Sequence, residues 1–128
     1  ICANPDKIVE RGDRIEYCAG AVADLYAEQG GEVLMAGKPY RPIYDEAKKL
    51  AESAARRAID LSRILCIGDS VRTDAVGAAT FGADLLFITG SIHAAELEAS
   101  GAPDAAAVRA LVEPSGAHLR GFMSRLAW

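Results

Sequence analysis

The stretch Ile64–Gly90, ILCIGDSVRTDAVGAATFGADLLFITG, decides how this chain is read. It opens on an apolar run, breaks at Gly68 and sets a carboxylate, Asp69, where a buried strand runs out. A segment of helical spacing, Ala75–Phe81, leads to a second apolar run, Asp84–Thr89. Strand, helix and strand in such close succession are the signature of a parallel crossover unit. Taken alone, Gly68 and Asp69 are also ordinary turn formers, because glycine tolerates positive φ and aspartate caps a following helix. The rest of the chain has to choose between a turn and a site.

Outward from that unit the alternation continues. Glu32–Ala36 (EVLMA) and Arg63–Ile67 (RILCI) are predicted strands, and between them Ile43, Ala47, Leu50, Ala51, Ala54 and Ala58 recur at helical spacing. Asp45/Lys49 and Glu52/Arg56 stand four apart on the outer face of that helix. Cys18, Val22, Leu25 and Tyr26 mark a helix before the first strand; His93–Ala99 and Asp104–Val112 are predicted helices after the last. The strand runs lack polar alternation, as expected for strands covered on both faces of a parallel sheet. The expected architecture is a three-layer, Rossmann-like α/β sandwich. Gly116–Phe122 carries no readable pattern.

At 128 residues the chain has the length of one domain, and 51% hydrophobic with 25% charged residues excludes a disordered segment. The net charge is −4 and no basic run exceeds Lys48-Lys49 or Arg56-Arg57, which counts against nucleic acid as a partner. Cys2, Cys18 and Cys66 lack zinc-like spacing; an odd count suits a reducing compartment, with all three as small core residues. No apolar run has the length of a membrane span, and ICANPDKIVERG has neither part of a signal peptide. A cytoplasmic protein without a membrane partner is expected, and the start without methionine suggests part of a longer chain. Monomer and homo-oligomer are equally compatible with the sequence.

Two loops resemble each other. LMAGKP (Leu34–Pro39) and LCIGDS (Leu65–Ser70) each run from an apolar strand end through glycine to a charge, which puts Lys38 and Asp69 at equivalent places. Right-handed crossovers bring successive parallel strands together, so both charges are expected at the carboxyl edge of one sheet, where open α/β folds bind ligands. Asp74, in the first turn of the next helix, adds a second carboxylate near that edge, although helix-dipole stabilisation alone would also place an acid there. Two carboxylates at a partly dry edge repel unless a cation joins them, and hard oxygen ligands favour magnesium. A lysine is a compact charge suited to a phosphate oxygen or a phosphorylated aspartate.

With these residues in place, the chain resembles a known family. Gly37-Lys38-Pro39, followed by GDSVRTDAVGAATFGADLLFITG, resembles the third and fourth motifs of the haloacid dehalogenase (HAD) superfamily. ANPD, Ala3–Asp6, is similar to the TNPD segment of its class IIA members, which carry a large cap between the second and third motifs. The resemblance implies that residues 1–31 end the cap region and return to the core, and that residues 32–128 are the carboxyl half of a HAD-type core. It also implies a magnesium-dependent phosphatase acting through an aspartyl-phosphate on a small phosphorylated metabolite, similar to p-nitrophenyl, nucleotide or sugar phosphate phosphatases. Carried over by position, Lys38 steadies the nucleophile and its phosphorylated form, Asp69 ligates magnesium directly, and Asp74 supports the metal from behind or through water. Ser70 lies where it approaches metal or phosphate, or else caps a helix. Asn4 and Asp6 match a cap segment that faces the substrate, or else form an Asx-Pro turn.

The superfamily's nucleophile and general acid/base belong to an Asp-x-Asp motif, and a second motif supplies a phosphate-binding Ser or Thr. None of the nine aspartates here stands two residues from another, so the resemblance implies that both motifs precede Ile1. The alternative is a non-catalytic Rossmann-like module that binds a phosphorylated ligand or a protein partner through the Lys38/Asp69 edge. A phosphoacceptor receiver domain is disfavoured because its lysine follows the acidic residues, and a dinucleotide fold because no Gly-x-Gly-x-x-Gly follows a strand. His93 and His118 lack partners at ligand spacing and read as exposed or capping residues; Arg72, between Ser70 and Asp74, reads either as a contact for a substrate anion or, the favoured reading, as part of a solvated helix face, and Phe122 and Trp128 as cover for a core edge.

Overall fold

The computed structural model describes residues 1–12, 14–98 and 101–127. An antiparallel hairpin, which the sequence reading does not anticipate, joins Ile8–Arg11 (β1) and Arg14–Tyr17 (β2), with Ile8 opposite Tyr17. Helices Ala19–Glu28 (α1) and Arg41–Ala55 (α2) follow. Then come Leu65–Gly68 (β3), Val76–Phe81 (α3), Asp84–Ile88 (β4), Ala94–Leu97 (α4), Ala105–Val112 (α5) and His118–Met123 (β5). β3, β4 and β5 form a parallel sheet in that order, with helices in the connections, which is the Rossmann-like α/β arrangement expected.

One face of this sheet holds the core. Leu85 and Phe87 of β4 are fully buried against Ala75 and Ala78 below the β3 loop, Leu97 of α4, and Val108 and Val112 of α5. Burying a leucine or phenylalanine fully contributes about 1.5–3 kcal/mol, so these two anchor the middle strand. Alternation along β4 turns Leu86 and Ile88 to the opposite face, where they are half-buried. Leu65 and Ile67 of β3 are 47% and 45% exposed. Covering on both faces, expected from their hydropathy, is therefore not realised for β3 among the described residues.

The predicted strand Glu32–Ala36 is reduced to one parallel bridge between Met35 and Cys2, with Cys2 N–H donating to Leu34 O at 2.8 Å and Ala36 N–H to Cys2 O at 2.8 Å. Hydropathy marks an extended segment but does not say which neighbour it pairs with. In α2, Asp45 pairs with Arg41 at 3.3 Å and Glu52 with Lys48 at 2.5 Å, rather than with Lys49 and Arg56. The helix stops at Ala55, and Arg56 takes a left-handed conformation as its cap, with its backbone N–H donating to the Glu52 and Ser53 carbonyls. Helix α4 is shorter than predicted, and Ala99, its expected end, lies outside the described residues, as does Trp128. Cys2 is buried and Cys18 and Cys66 half-buried, all three as free thiols. No helix among the described residues is long and apolar enough to cross a membrane.

β5 occupies the segment without a readable pattern. Its register against β4 shifts by a residue, so that Leu119 sits beside Leu85 and Phe122 beside Phe87. Both pack on the core although they are three apart in sequence, a spacing that breaks the period-two signature of a strand. Asp84 pins the start of the strand, facing His118 Nδ1 at 2.5 Å and Arg120 Nε at 3.1 Å.

Candidate active site

The loop after β3 is organised around Asp74. The backbone leaves β3 at Gly68 and passes Ser70, whose Oγ accepts from Thr73 N–H at 3.4 Å. It then makes a single wide turn over Val71–Ala75, in which Ser70 O accepts from both Asp74 N–H at 2.9 Å and Ala75 N–H at 3.0 Å. Such π-type turns concentrate at functional sites because they re-aim a side chain without ending the helix. Here the turn swings Asp74 back under the loop, where its residue is 5% exposed. Its Oδ2 accepts from the backbone N–H of Asp69 and of Ser70, each at 3.1 Å, and its Oδ1 from Lys38 Nζ at 2.5 Å. A side chain at position 68 would fall on the Asp74 carboxyl group, so Gly68 is required for this close approach.

Lys38 and Asp74 are thus joined directly, 36 residues apart in sequence. The lysine does not reach the site as the end of a sheet strand, since Leu34–Ala36 lies outside the three-stranded sheet. The Lys38 side chain is 53% exposed while that of Asp74 is 6% exposed, so the pair presents its cationic end to solvent. Asp69 is half-buried at the head of the loop, and its carboxylate accepts no hydrogen bond among the described residues. Asp74 has both oxygens committed; Asp69 has both available.

A cavity of about 650 Å³ opens beside Lys38, walled by Asp6, Lys7, Tyr40, Ser70, Arg72 and Thr73 among others. Asp6, Lys38 and Ser70 therefore meet at one surface. Asn4 does not line it: its Oδ1 accepts from Asp6 N–H at 3.1 Å, the Asx turn that was its structural alternative. Ser70 combines both of its readings, capping the turn while facing the cavity. Arg72 lines the same cavity and is exposed, a position compatible with both of its readings. Lys7 and Tyr40 belong to the wall and carry no motif, since only folding brings them there.

Tyr44 of α2 lies behind the loop, and its sequence position gives no sign of it. Its ring stacks on Phe81 at 5.4 Å, and its buried hydroxyl has no hydrogen-bond partner among the described residues. Burial, then the neighbouring Cys66 and Asp74, pushes its phenol up to about 12. Burial followed by the charge of Asp74 likewise raises the Cys66 thiol. The rear of the site, formed by the stacked Tyr44 and Phe81 rings, is apolar, and a low local dielectric strengthens the Lys38–Asp74 interaction.

Hard carboxylate oxygens at the loop head fit magnesium, which is commonly bound through one or two protein carboxylates with the remaining positions left to water and phosphate. Among the described residues no three His, Cys, Asp or Glu side chains converge as a complete metal centre, so this chain offers part of a coordination sphere at most.

Comparison with known proteins gives the loop a context. Residues 35–113 match the family model described as HAD-hydrolase-like. A hydrolase of the haloacid dehalogenase-like family from Brucella suis 1330 is 45% identical over 97% of this chain and 42% of its own, with a TM-score of 0.65. The p-nitrophenyl phosphatase from Archaeoglobus fulgidus is 20% identical over 94% of this chain and 41% of its own, with a TM-score of 0.63. A possible sugar phosphatase of the HAD superfamily from Cytophaga hutchinsonii ATCC 33406 is 18% identical over 98% of this chain and 42% of its own, with a TM-score of 0.61. At these identities the last two show the shared fold. No curated protein matches. The chain spans about two fifths of the length of each of these solved structures.

Proposed function

This chain belongs to the HAD-like hydrolase family, and from that premise we propose that it is the carboxyl-terminal part of a magnesium-dependent phosphatase of class IIA. The observation that carries the reading is the Lys38–Asp74 pair: a buried carboxylate, held by two loop amides, fixes an ammonium at the mouth of a cavity sized for a small phosphorylated metabolite. Residues 1–31 then belong to the end of a cap and residues 32–128 to the hydrolase core, with the Asp-x-Asp nucleophile supplied from upstream.

Lys38 would lie where negative charge grows on the phosphoryl oxygens and on the nucleophilic carboxylate, and its attraction to them rises toward the transition state. Asp74 would prevent that ammonium from rotating away and, through the amides of Asp69 and Ser70, fix the loop that presents Asp69. Magnesium, when bound, would offset phosphoryl charge as a Lewis acid. Asp69 would hold it directly, and Asp74 would support it through the loop. Ser70 and Asp6 would contact the substrate from the lining of the cavity. Asn4 would act one step back, by holding the backbone of Asp6.

The test is steady-state turnover of p-nitrophenyl phosphate by the intact protein with increasing magnesium. Lys38→Met should lower kcat by roughly two to three orders of magnitude with a smaller change in KM. Asp69→Asn should demand more magnesium for half-activation than Asp74→Asn does. No magnesium-dependent turnover by the wild type, or an undiminished kcat in folded Lys38→Met, would leave a non-catalytic phosphate-binding module as the better account.

A further inference from the structure

We propose that Arg72 binds a second anionic group on the substrate, so that the site prefers phosphomonoesters whose leaving portion carries a carboxylate or another phosphate. The inference rests on the phosphatase reading and adds a substrate class to it. Three cations face the cavity beside the β3 loop: Lys7, Lys38 and Arg72. Two of them are already matched, Lys7 by Asp24 at 2.5 Å and Lys38 by Asp74 at 2.5 Å. Arg72 is exposed and has no ion-pair or hydrogen-bond partner among the described residues.

Its position is set by the same wide turn that buries Asp74. A single residue, Thr73, separates them, so the turn that carries the carboxylate inward leaves Arg72 at the cavity wall. The planar guanidinium presents paired donors that match a carboxylate or phosphate in two parallel hydrogen bonds, whereas an ammonium acts as a point charge. Asp6 also lines the cavity and its carboxylate has no ion-pair partner among the described residues, so it repels an anion from the Pro5–Asp6 wall. The pocket is thus polarised: a phosphoryl group at Lys38 leaves Arg72 as the favourable place for a second anion, while Asp6 suits a hydroxyl or ammonium on the same molecule.

Matched substrate pairs separate this from a solvated arginine. The intact protein is assayed with 3-phosphoglycerate against glycerol 3-phosphate, which tests a carboxylate, and with fructose 1,6-bisphosphate against fructose 6-phosphate, which tests a second phosphate. The expected result is a wild-type preference of roughly tenfold in kcat/KM for the more anionic member of at least one pair, the scale of a charge-assisted hydrogen bond. Arg72→Gln should erase that ratio through KM, and Arg72→Lys should restore part of it. A ratio near one in the wild type, or a loss in Arg72→Gln that is equal for both members of each pair, overturns the inference. Calorimetric binding of the same four compounds keeps the two readings apart. Arg72-dependent binding of the more anionic members without turnover supports the inference and sinks the phosphatase, and equal binding by wild type and Arg72→Gln sinks the inference.

Discussion

Asp74 is the residue on which the site turns, and its burial sets its energetics. Three donors converge on one carboxylate that is 5% exposed, so removing its charge loses the ion pair with the half-exposed Lys38 and weakens two loop hydrogen bonds at once. Asp74→Asn should cost about 2–3 kcal/mol in urea unfolding. Lys38→Met should cost less, about 1 kcal/mol, because the half-exposed lysine leaves Asp74 with both amide donors. The reverse order would show that Lys38 rather than Asp74 organises the loop. Tyr44 gives a pH signature. Its phenol is raised from 10.0 to about 12 in the folded state, so between those values the unfolded chain has lost a proton that the native state keeps. The unfolded state then binds fewer protons, and stability present below pH 10 falls as pH rises toward 12. Unfolding free energies across that range should decline more steeply for the wild type than for Tyr44→Phe; parallel curves would contradict the burial of this hydroxyl.

Between elements, the contact that seats the loop is the crossing of α2 over α3. Tyr44 stacks on Phe81, and its hydroxyl sits where a side chain at Gly77 would have to go. Gly77 is therefore a packing glycine. Gly77→Ala should destabilise by about 1–3 kcal/mol, the usual scale of overpacking. Tyr44→Phe should recover only part of that loss, since the ring carbon behind the hydroxyl would still crowd the added methyl group. Additive effects of the two substitutions would place the strain elsewhere. The elements also differ in how legible they are. β4 reads directly because Leu85 and Phe87 alternate with Leu86 and Ile88 in an unbroken apolar run. β5 does not, because its register shift puts the core residues Leu119 and Phe122 at odd spacing with a charge and a glycine between them. The β1–β2 hairpin is equally hidden, being made of half-charged strands with Ile15 and Tyr17 exposed.

For the whole molecule, the proposed division of the chain has a direct consequence. Covalent phosphoryl transfer needs a carboxylate nucleophile beside the phosphorus, and no Asp-x-Asp exists in this sequence. The 128-residue polypeptide by itself should therefore hydrolyse p-nitrophenyl phosphate no faster than background, with magnesium present. Turnover that co-purifies with the polypeptide and disappears in Lys38→Met would require a nucleophile within these residues.

What the sequence by itself determined is local in origin. The apolar runs of β3 and β4, the helices between them and the glycine-charge loops at Lys38 and Asp69 are all written in contiguous residues, because strand burial, helix periodicity and turn chemistry act over a few positions. That information was enough to reach the α/β class and to select Lys38, Asp69 and Asp74. Only the tertiary structure decided how those three relate. Lys38 arrives from a segment paired with Cys2 rather than from a strand of the main sheet. Asp74 turns inward to hold both the lysine and the loop amides, which leaves Asp69 with free oxygens. It also decided that Asp6, Arg72 and Tyr40 line one cavity while Tyr44 backs the loop unseen. Such proximities depend on which way a turn swings and which segments pair, and those choices are settled by packing between residues far apart in the chain.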